Sequence, residues 1–129
     1  MTCYFLGIGS NDDAENNCRL MIEAIRKTFD DVRLSRVICT EAHGEDHDGA
    51  PDYYNAVACF ESDWQSGQLN DWCKTVEQRL GRVRGSSLCR ADLDILLAVD
   101  EMSKASTAAI EDIYFRPLVQ ELLLLLPGS

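Results

Sequence analysis

An α+β fold, with an antiparallel sheet and helices on one of its faces, is predicted by two features of the sequence. Apolar runs and segments of helical periodicity follow each other in the order strand, helix, strand, strand, helix, strand. Turn-forming residues separate these segments, and no repeat or low-complexity linker interrupts them. The order is that of the split βαβ, or ferredoxin-like, sandwich, which leaves the second face of the sheet free for a site.

The first two elements are a strand and a helix. Residues 3–10 form an apolar run that closes with Gly and Ser, which indicates a buried strand ending in a tight turn. Residues 11–29 begin with acids and carry apolar side chains at helical intervals, which is typical of a capped amphipathic helix. These apolar residues are Leu20, Ile22, Ile25 and Phe29.

Two strands and a second helix are predicted next. Residues 31–42 and 53–62 are apolar runs typical of strands, and a polar loop with Gly, Asp and Pro, residues 43–52, separates them. Residues 66–80 regain helical spacing, and Gly81 is placed to end this helix. The apolar residues of the helix are Leu69, Trp72, Val76 and Leu80.

The last predicted strand, residues 91–100, is followed by a tail with helical character. Apolar residues of the tail recur at helical intervals after an irregular stretch, which predicts a third helix with Pro117 near its beginning. They are Ile113, Phe115, Leu118, Leu122 and Leu125. We expect the leucine run, residues 122–126, to end a buried helix or to form an association surface for a homodimer.

Length and charge bound the class of protein. The 129 residues are enough for one core, so we expect a single domain over residues 1–129. A net charge of −10 argues against a general nucleic-acid or anionic-membrane binder, because such surfaces need a positive field. The leucine run is far shorter than the ~20 residues of a membrane span.

The six cysteines indicate the compartment. They show neither a CxxC pair nor the spacing of a zinc site, and Cys3, Cys39 and Cys59 sit in apolar runs, where a free thiol behaves as a small hydrophobe. The first residues lack the basic and apolar regions of a signal peptide. We therefore expect reduced thiols and a cytoplasmic protein.

Asp92 and Asp94 are the first candidates for chemistry. Residues two apart on a strand share a face, so both carboxylates would project with Leu96 and Ala98, roughly 6 to 7 Å apart. The residues facing the helices would be Leu93, Ile95, Leu97 and Val99. Two adjacent carboxylates repel each other unless a cation is near, and oxygen ligands of this kind suit Mg²⁺. The alternative is two solvated aspartates on a sheet surface.

Arginines precede this pair. Four of the twelve basic residues lie between positions 79 and 90, namely Arg79, Arg82, Arg84 and Arg90. Arginine binds phosphate oxygens in bidentate fashion, and a metal held by carboxylates bridges the same phosphates, so the combination suits phosphoryl transfer. The alternative is a solvated, arginine-rich helix end and loop.

Tyr53 and Asn55 form a second candidate group. They are two apart on a predicted strand, so both can face one pocket, where the ring could stack on a flat heterocycle and the amide could bond its edge. The alternative is a tyrosine buried for its strand propensity and an asparagine close to a turn.

Four motifs together resemble one enzyme family. They are GSN at 9–11, PDYYNAV at 51–57, VEQRLGRVR at 76–84 and RADLDILL at 90–97. In order and spacing they resemble the 6-hydroxymethyl-7,8-dihydropterin pyrophosphokinase family, over residues 3 to about 100. That family transfers the pyrophosphate of ATP to the hydroxymethyl group of a pterin in folate biosynthesis, and its ferredoxin-like fold agrees with the element order.

The resemblance implies cofactors and residue roles. It implies ATP as co-substrate and two Mg²⁺ ions bound by Asp92 and Asp94. It also implies phosphate contacts from Arg82 and Arg90 on a mobile loop, with Arg84 beside them. The remaining implied contacts are Glu77 and Ile95 in the nucleotide pocket and Thr40, Tyr53 and Asn55 at the pterin.

The sequence departs from the family pattern in three places. Residues 85–91 are fewer than in the family's lid loop, and Leu88 and Cys89 stand where the family carries a Trp. The Pro-His segment that follows the family's last core strand is missing, and Arg116 is a candidate for the lost positive charge. Ala42 and His43 replace the apolar residues usual after Thr40.

Three hypotheses follow. The first is a minimal pterin pyrophosphokinase, with ATP and pterin as its small-molecule partners. The second is a divergent paralogue that keeps the Mg²⁺ and nucleotide apparatus but acts on another hydroxylated substrate. The third is a non-catalytic binding or dimerisation protein with a ferredoxin-like fold. Two adjacent carboxylates facing an arginine loop favour the first two hypotheses, because a scaffold has no need for them, and of these we adopt the pyrophosphokinase.

Overall fold

The computed structural model describes residues 1–40, 52–101 and 104–124. Within these ranges the chain forms a five-stranded antiparallel sheet and three α-helices, which confirms the predicted α+β fold. The strands are β1 (Thr2–Ser10), β2 (Arg33–Leu34), β3 (Ile38–Thr40), β4 (Tyr53–Ser62) and β5 (Asp92–Val99). The helices are α1 (Ala14–Thr28), α2 (Ser66–Arg79) and α3 (Arg116–Leu124), and short 3₁₀ turns at Thr107–Ala109 and Ile113–Phe115 precede α3.

β1 is the central strand of the sheet. It pairs with β4 on one side and with β5 on the other, in the order β2-β4-β1-β5, and β3 pairs with β4 next to β2. All but the first of its nine residues are buried, as expected for an apolar run covered on both faces. The polar residues at its end, Ser10 and Asn11, are buried as well.

The predicted strand 31–42 is divided into β2 and β3. The Ser35 side chain interrupts the ladder, because its hydroxyl oxygen accepts the Val57 amide at 2.8 Å. The Ser35 amide in turn donates to the Val57 carbonyl at 2.9 Å. A bulge of this kind cannot be read from an apolar run. The predicted loop 43–52, including His43, lies almost wholly outside the described residues, as does Ala42.

The first core lies between the sheet and the helices α1 and α2. Its inward side chains from α1 are Cys18, Met21 and Ile25, followed by Phe29 directly after the helix, whereas the predicted Leu20 and Ile22 are only half-buried. The other buried residues of this core are Tyr4, Leu6, Ile8, Ala56, Ala58, Phe60, Leu69, Cys73, Val76, Ala91 and Leu93.

Gly81 ends α2, as the sequence predicts. Its φ is +88°, and the amides of Gly81 and Arg82 donate to the carbonyls of Gln78 and Glu77 at 3.0 and 3.1 Å. These two bonds and the left-handed glycine make a Schellman motif. The motif turns the chain back so that Arg82 lies beside Glu77 of the helix it has just left.

A second core covers part of the other sheet face, which was expected to be free. Phe115 and the α3 residues Leu118, Val119 and Leu122 pack there against β1 and β4. Phe115 lies over Gly7, where an added Cβ would be 2.9 Å from its ring. Pro117 stands at the start of α3 as predicted, but Ile113 is 69% exposed and Leu125 lies outside the described residues.

β5 changes face at Leu96, which corrects the predicted alternation. Its register against β1 shifts by one residue there, because Leu6 pairs with Ile95 and Phe5 with Leu97. Leu93 and Ile95 therefore face α1 and α2, but Leu97 and Val99 pack in the second core. Ala98, paired with Tyr4, lies on the opposite face from the one predicted.

Two further features complete the fold. All six cysteines are free thiols. Among the described residues, no helix has the length and apolar character needed to cross a bilayer.

Candidate functional site

Gly9 marks the floor of the candidate site. It pairs with Asn55 on β4 and with Asp92 on β5, on the sheet face opposite α1 and α2. A Cβ at this position would lie 3.1 Å from Asn55 Oδ1 and 3.8 Å from both Asp92 Cβ and Tyr53 Cδ1. Three predicted site residues from two different strands thus converge on one glycine, because only a residue without a side chain leaves room between them.

Asp92 and Asp94 lie on this same face of β5, as their spacing predicts. Loss of solvation, repulsion from Asp92 and a hydrogen bond with Asp92 raise the pKa of Asp94 to about 7. Near neutral pH the pair therefore holds one proton readily. Repulsion between the two carboxylates opposes the ionisation of both, and a nearby cation would offset this repulsion.

Glu77 organises the charges next to the aspartates. Its side chain is 5% exposed, and its Oε2 accepts from Arg82 Nη1 at 2.8 Å and from the Leu93 amide at 2.9 Å. Arg82 Nη1 also donates to Asp92 Oδ1 at 3.2 Å. Glu77 thus ties α2 to β5 and orients Arg82 toward the carboxylate pair.

Two other arginines of the group, Arg84 and Arg90, lie farther out than Arg82. Arg84 Nη2 is 3.7 Å from Glu77 Oε1, with a side chain that is 69% exposed. Arg90 Nε donates to Asp12 Oδ2 at 3.2 Å, and its guanidinium passes over Gly81. Both side chains are exposed enough to contact an incoming anion, although Arg90 already forms an ion pair with Asp12.

Tyr53, Asn55 and Thr40 come together on the β3 side of Gly9. Asn55 is 2% exposed, and its Nδ2 donates to Thr40 Oγ1 at 2.8 Å, which directs its Oδ1 toward Gly9. Burial, together with the nearby Cys89 and Asp92, raises the pKa of Tyr53 to about 12. A neutral phenol and a fixed amide are suited to a polar, flat ligand.

Ile95 does not join this group. It faces α1 and α2 beside the first core, on the opposite side of β5 from the two aspartates. Its predicted role in a nucleotide pocket stays a prediction. Arg116 is also occupied elsewhere, because its Nε donates to the Ile110 carbonyl at 2.9 Å.

Ser10, Asn11 and Asp12 are site residues whose roles were not predicted from the sequence. They hold the loop of residues 85–91 by bonds to Ser87, Cys89 and Arg90. The motif GSN was the available signal, but its partners are more than seventy residues away in the chain. No local pattern indicates contacts of that range.

A cleft of about 790 Å³ lies elsewhere in the molecule, at the opposite end of β1. Its lining includes Met1, Phe29 and Trp64 and none of the predicted site residues. The candidate site residues therefore lie outside this cleft.

The residues that could hold a divalent cation are Asp92 and Asp94. Among the described residues, no cluster of three or more His, Cys, Asp or Glu side chains has metal-binding geometry. Two carboxylates nonetheless fit Mg²⁺, which commonly takes one or two protein carboxylates and completes its shell with water and phosphate oxygens. The raised pKa of Asp94 fits the same group, since a cation would stabilise the doubly ionised pair.

A ferredoxin-like sheet with a carboxylate pair, an arginine group and a polar aromatic pocket on one face is typical of a phosphate-transferring protein. The chain matches the family model of 7,8-dihydro-6-hydroxymethylpterin-pyrophosphokinase (HPPK) over residues 5–127 and belongs to this family. Members of the family are pyrophosphokinases of folate biosynthesis, in general ATP-dependent and Mg²⁺-requiring. A search of curated proteins gives no significant match.

Proposed function

We propose that this chain transfers the pyrophosphate group of ATP to 6-hydroxymethyl-7,8-dihydropterin with the help of Mg²⁺. The observation that carries the proposal is the convergence of Asp92, Tyr53 and Asn55 around Gly9, with Arg82 bonded to Asp92. A carboxylate pair for cations, an arginine for phosphate and a pocket for a flat heterocycle thus share one sheet face. The family match supports the same reaction.

The acceptor would lie against Tyr53 and Asn55. Asn55 Oδ1 is a fixed acceptor because Thr40 holds the other end of the amide. The Tyr53 phenol keeps its proton, since its pKa is raised to about 12. These two groups orient the ring and leave its hydroxymethyl group directed toward the carboxylates, which is catalysis by positioning.

The triphosphate would lie between Asp92, Asp94 and the arginines. Mg²⁺, when bound by the two aspartates, supplies charge neutralisation at the transferred group. Arg82, Arg84 and Arg90 add donors and positive charge around the same oxygens. Because phosphoryl transfer demands little covalent chemistry of the protein, this arrangement of charges and the alignment of two substrates are sufficient.

A divergent paralogue with another hydroxylated acceptor is the second candidate. It is favoured by Cys89, a departure from the family pattern that lies beside Tyr53 on the acceptor side of the site. The non-catalytic alternative through a leucine-rich dimer surface has less support. Leu118 and Leu122 are buried in the chain's own core, although Leu124 is 68% exposed.

The decisive experiment is calorimetric titration of the pure protein with Mg²⁺ and a non-hydrolysable ATP analogue, followed by 6-hydroxymethylpterin. We expect both ligands to bind, the pterin more tightly after the nucleotide, and AMP to be released when ATP and the dihydropterin are supplied. Nucleotide binding without pterin binding would favour the paralogue. Binding of neither ligand would contradict the proposed enzymatic activity. We expect the active protein in the cytoplasm, and cell fractionation can check this location.

A further inference from the structure

The loop of residues 85–91 is attached to the end of β1 by an unusual number of bonds. The Asn11 amide donates to the Cys89 carbonyl at 2.9 Å, and Asn11 Oδ1 accepts the Cys89 amide. Asn11 Nδ2 donates to the Ser87 carbonyl at 2.9 Å. The Ser10 hydroxyl lies 3.2 Å from the same Cys89 carbonyl. One asparagine thus satisfies three backbone groups of the loop.

Burial makes these bonds costly to break. Asn11 is 2% exposed and Ser10 is fully buried, so opening the loop would leave amide groups without partners in a low-dielectric setting. Cys89 is itself 8% exposed, its Sγ donates to the Ala91 carbonyl at 3.5 Å, and it lies beside Tyr53. The neighbouring Arg90 adds the ion pair with Asp12.

The part of the loop without such anchors is short. Arg82 is fixed at one end by Glu77 and Asp92, and Ser87 is fixed at the other end by Asn11. Residues 83–86 between these points are exposed and contain Gly85 in a left-handed conformation. Residues 87–89, the anchored segment beside Tyr53 and Asp92, lie outside this stretch. Movement of the four exposed residues would therefore leave that segment in place.

We propose that Asn11 is a positioning residue that fixes residues 87–89 against β1, so that the loop forms a permanent wall of the acceptor site instead of a mobile lid. The wall is formed before ligands arrive, and Cys89 presents its side chain to Tyr53 in the free protein. The effect of this wall on acceptor binding rests on the proposed function, whereas the fixed position of the loop is independent of it.

Amide hydrogen exchange, resolved at Cys89, tests the proposal in the free protein. We expect the Cys89 amide of the wild-type chain to be protected without ligand, and Asn11→Ala to accelerate its exchange about tenfold or more, since a buried bond is lost. Asn11→Asp retains the acceptor for the Cys89 amide and should restore part of the protection. Asn16→Ala, in the first turn of α1 and bonded to Asp13 and Arg19, is the matched control and should leave the exchange of the Cys89 amide unchanged.

Amide exchange of Cys89 with and without ligands distinguishes a fixed loop from a mobile lid. With Mg²⁺ and the ATP analogue, wild-type Cys89 exchange should change less than about twofold, whereas in Asn11→Ala the ligands should regain protection and bind about tenfold more weakly. Exchange of wild-type Cys89 at the rate of an unstructured chain, or protection that appears only with ligands, would overturn the proposal. A protected Cys89 in a protein that binds neither ligand would support the fixed loop and contradict the proposed function.

Discussion

Gly9 and Asn55 face each other across β1 and β4 with little room for one more carbon atom, since an added Cβ would lie 3.1 Å from Asn55 Oδ1. Asn55 would have to shift by a few tenths of an ångström, and its amide is held by the 2.8 Å bond to Thr40. The orientation of this amide, and with it the acceptor side of the site, thus depends on the absence of a side chain on the neighbouring strand.

Gly9→Ala should therefore weaken pterin binding more than it weakens the fold. We expect about a tenfold or greater loss of affinity in calorimetric titration, because the new methyl displaces Asn55 from its bond with Thr40. The control is Gly67→Ala in α2, where a Cβ meets nothing within 4 Å and should stabilise the helix by roughly 0.5–1 kcal/mol. Unchanged pterin affinity in Gly9→Ala would remove Asn55 from the proposed acceptor pocket.

Asp94→Ala should abolish metal-dependent nucleotide binding. The substitution removes one of two carboxylates that could hold Mg²⁺, and the variant should still unfold as cooperatively as the wild type because it also relieves the repulsion between Asp94 and Asp92. Titration with Mg²⁺ and the ATP analogue measures the loss, and Asp63→Ala, an exposed acid far from β5 in sequence, controls for the change of net charge. Nucleotide binding equal to that of the wild type would exclude Asp94 from the site.

The Asp94 carboxyl also predicts a pH dependence of stability in metal-free protein. Its pKa is about 7 in the folded chain, against an ordinary value of 3.8. Between pH 3.8 and about 7 the folded state therefore holds a proton on Asp94 that the unfolded state releases. Stability from this group is therefore complete below about pH 4 and is lost as the pH rises to about 7. Urea unfolding with a chelator present should show Asp94→Asn gaining stability relative to the wild type across this window, and parallel profiles would contradict the raised pKa.

Glu77→Ala should be strongly destabilising. The substitution leaves the buried Leu93 amide without its acceptor and Arg82 with Asp92 as its remaining carboxylate, which corresponds to a loss of about 2–4 kcal/mol in the free energy of unfolding. Glu77→Gln keeps an acceptor for Leu93 but loses the charge, so its urea midpoint should lie between the other two. Equal midpoints for all three proteins would show that the Glu77 bonds do not hold β5 to α2.

The second core predicts that the C-terminal segment is part of one folding unit. We propose that the chain is a single domain, in which Leu118→Ala costs about 2–5 kcal/mol because Leu118 is fully buried. Leu124→Ala, at an exposed position of the same helix, should cost little. Far-ultraviolet dichroism and tryptophan emission should report one shared transition, and separate transitions would argue for an independent C-terminal unit.

The elements that could be predicted from the sequence are those whose signals are local. The runs around β1, β4 and β5 and the spacing of α1 and α2 depend on neighbouring residues, and Gly81 ends α2 for a reason visible in the chain itself. The placement of Asp92 and Asp94 on one face was also predictable, since it needs only the strand repeat.

The rest depends on contacts between distant parts of the chain. The break at Ser35 arises from a side-chain hydroxyl that takes the place of a main-chain carbonyl as acceptor for the β4 amide of Val57, and the covering of the second sheet face depends on where α3 docks. The attachment of Cys89 to Asn11 spans 78 positions. Periodicity and turn chemistry carry no information about such pairs, so the loop's anchor was missed although its residues had been singled out.

The bulge at Leu96 determines how β5 can vary in length. Because the extra residue reverses the facing of everything after it, the first half of β5 serves one core and the second half serves the other. Removal of Leu96 alone would restore plain alternation and keep Leu97 and Val99 opposite Phe5 and Cys3, on the layer that holds α3. Relatives of this chain that lack one residue at this point should thus keep the same residues facing each core, with a straighter β5.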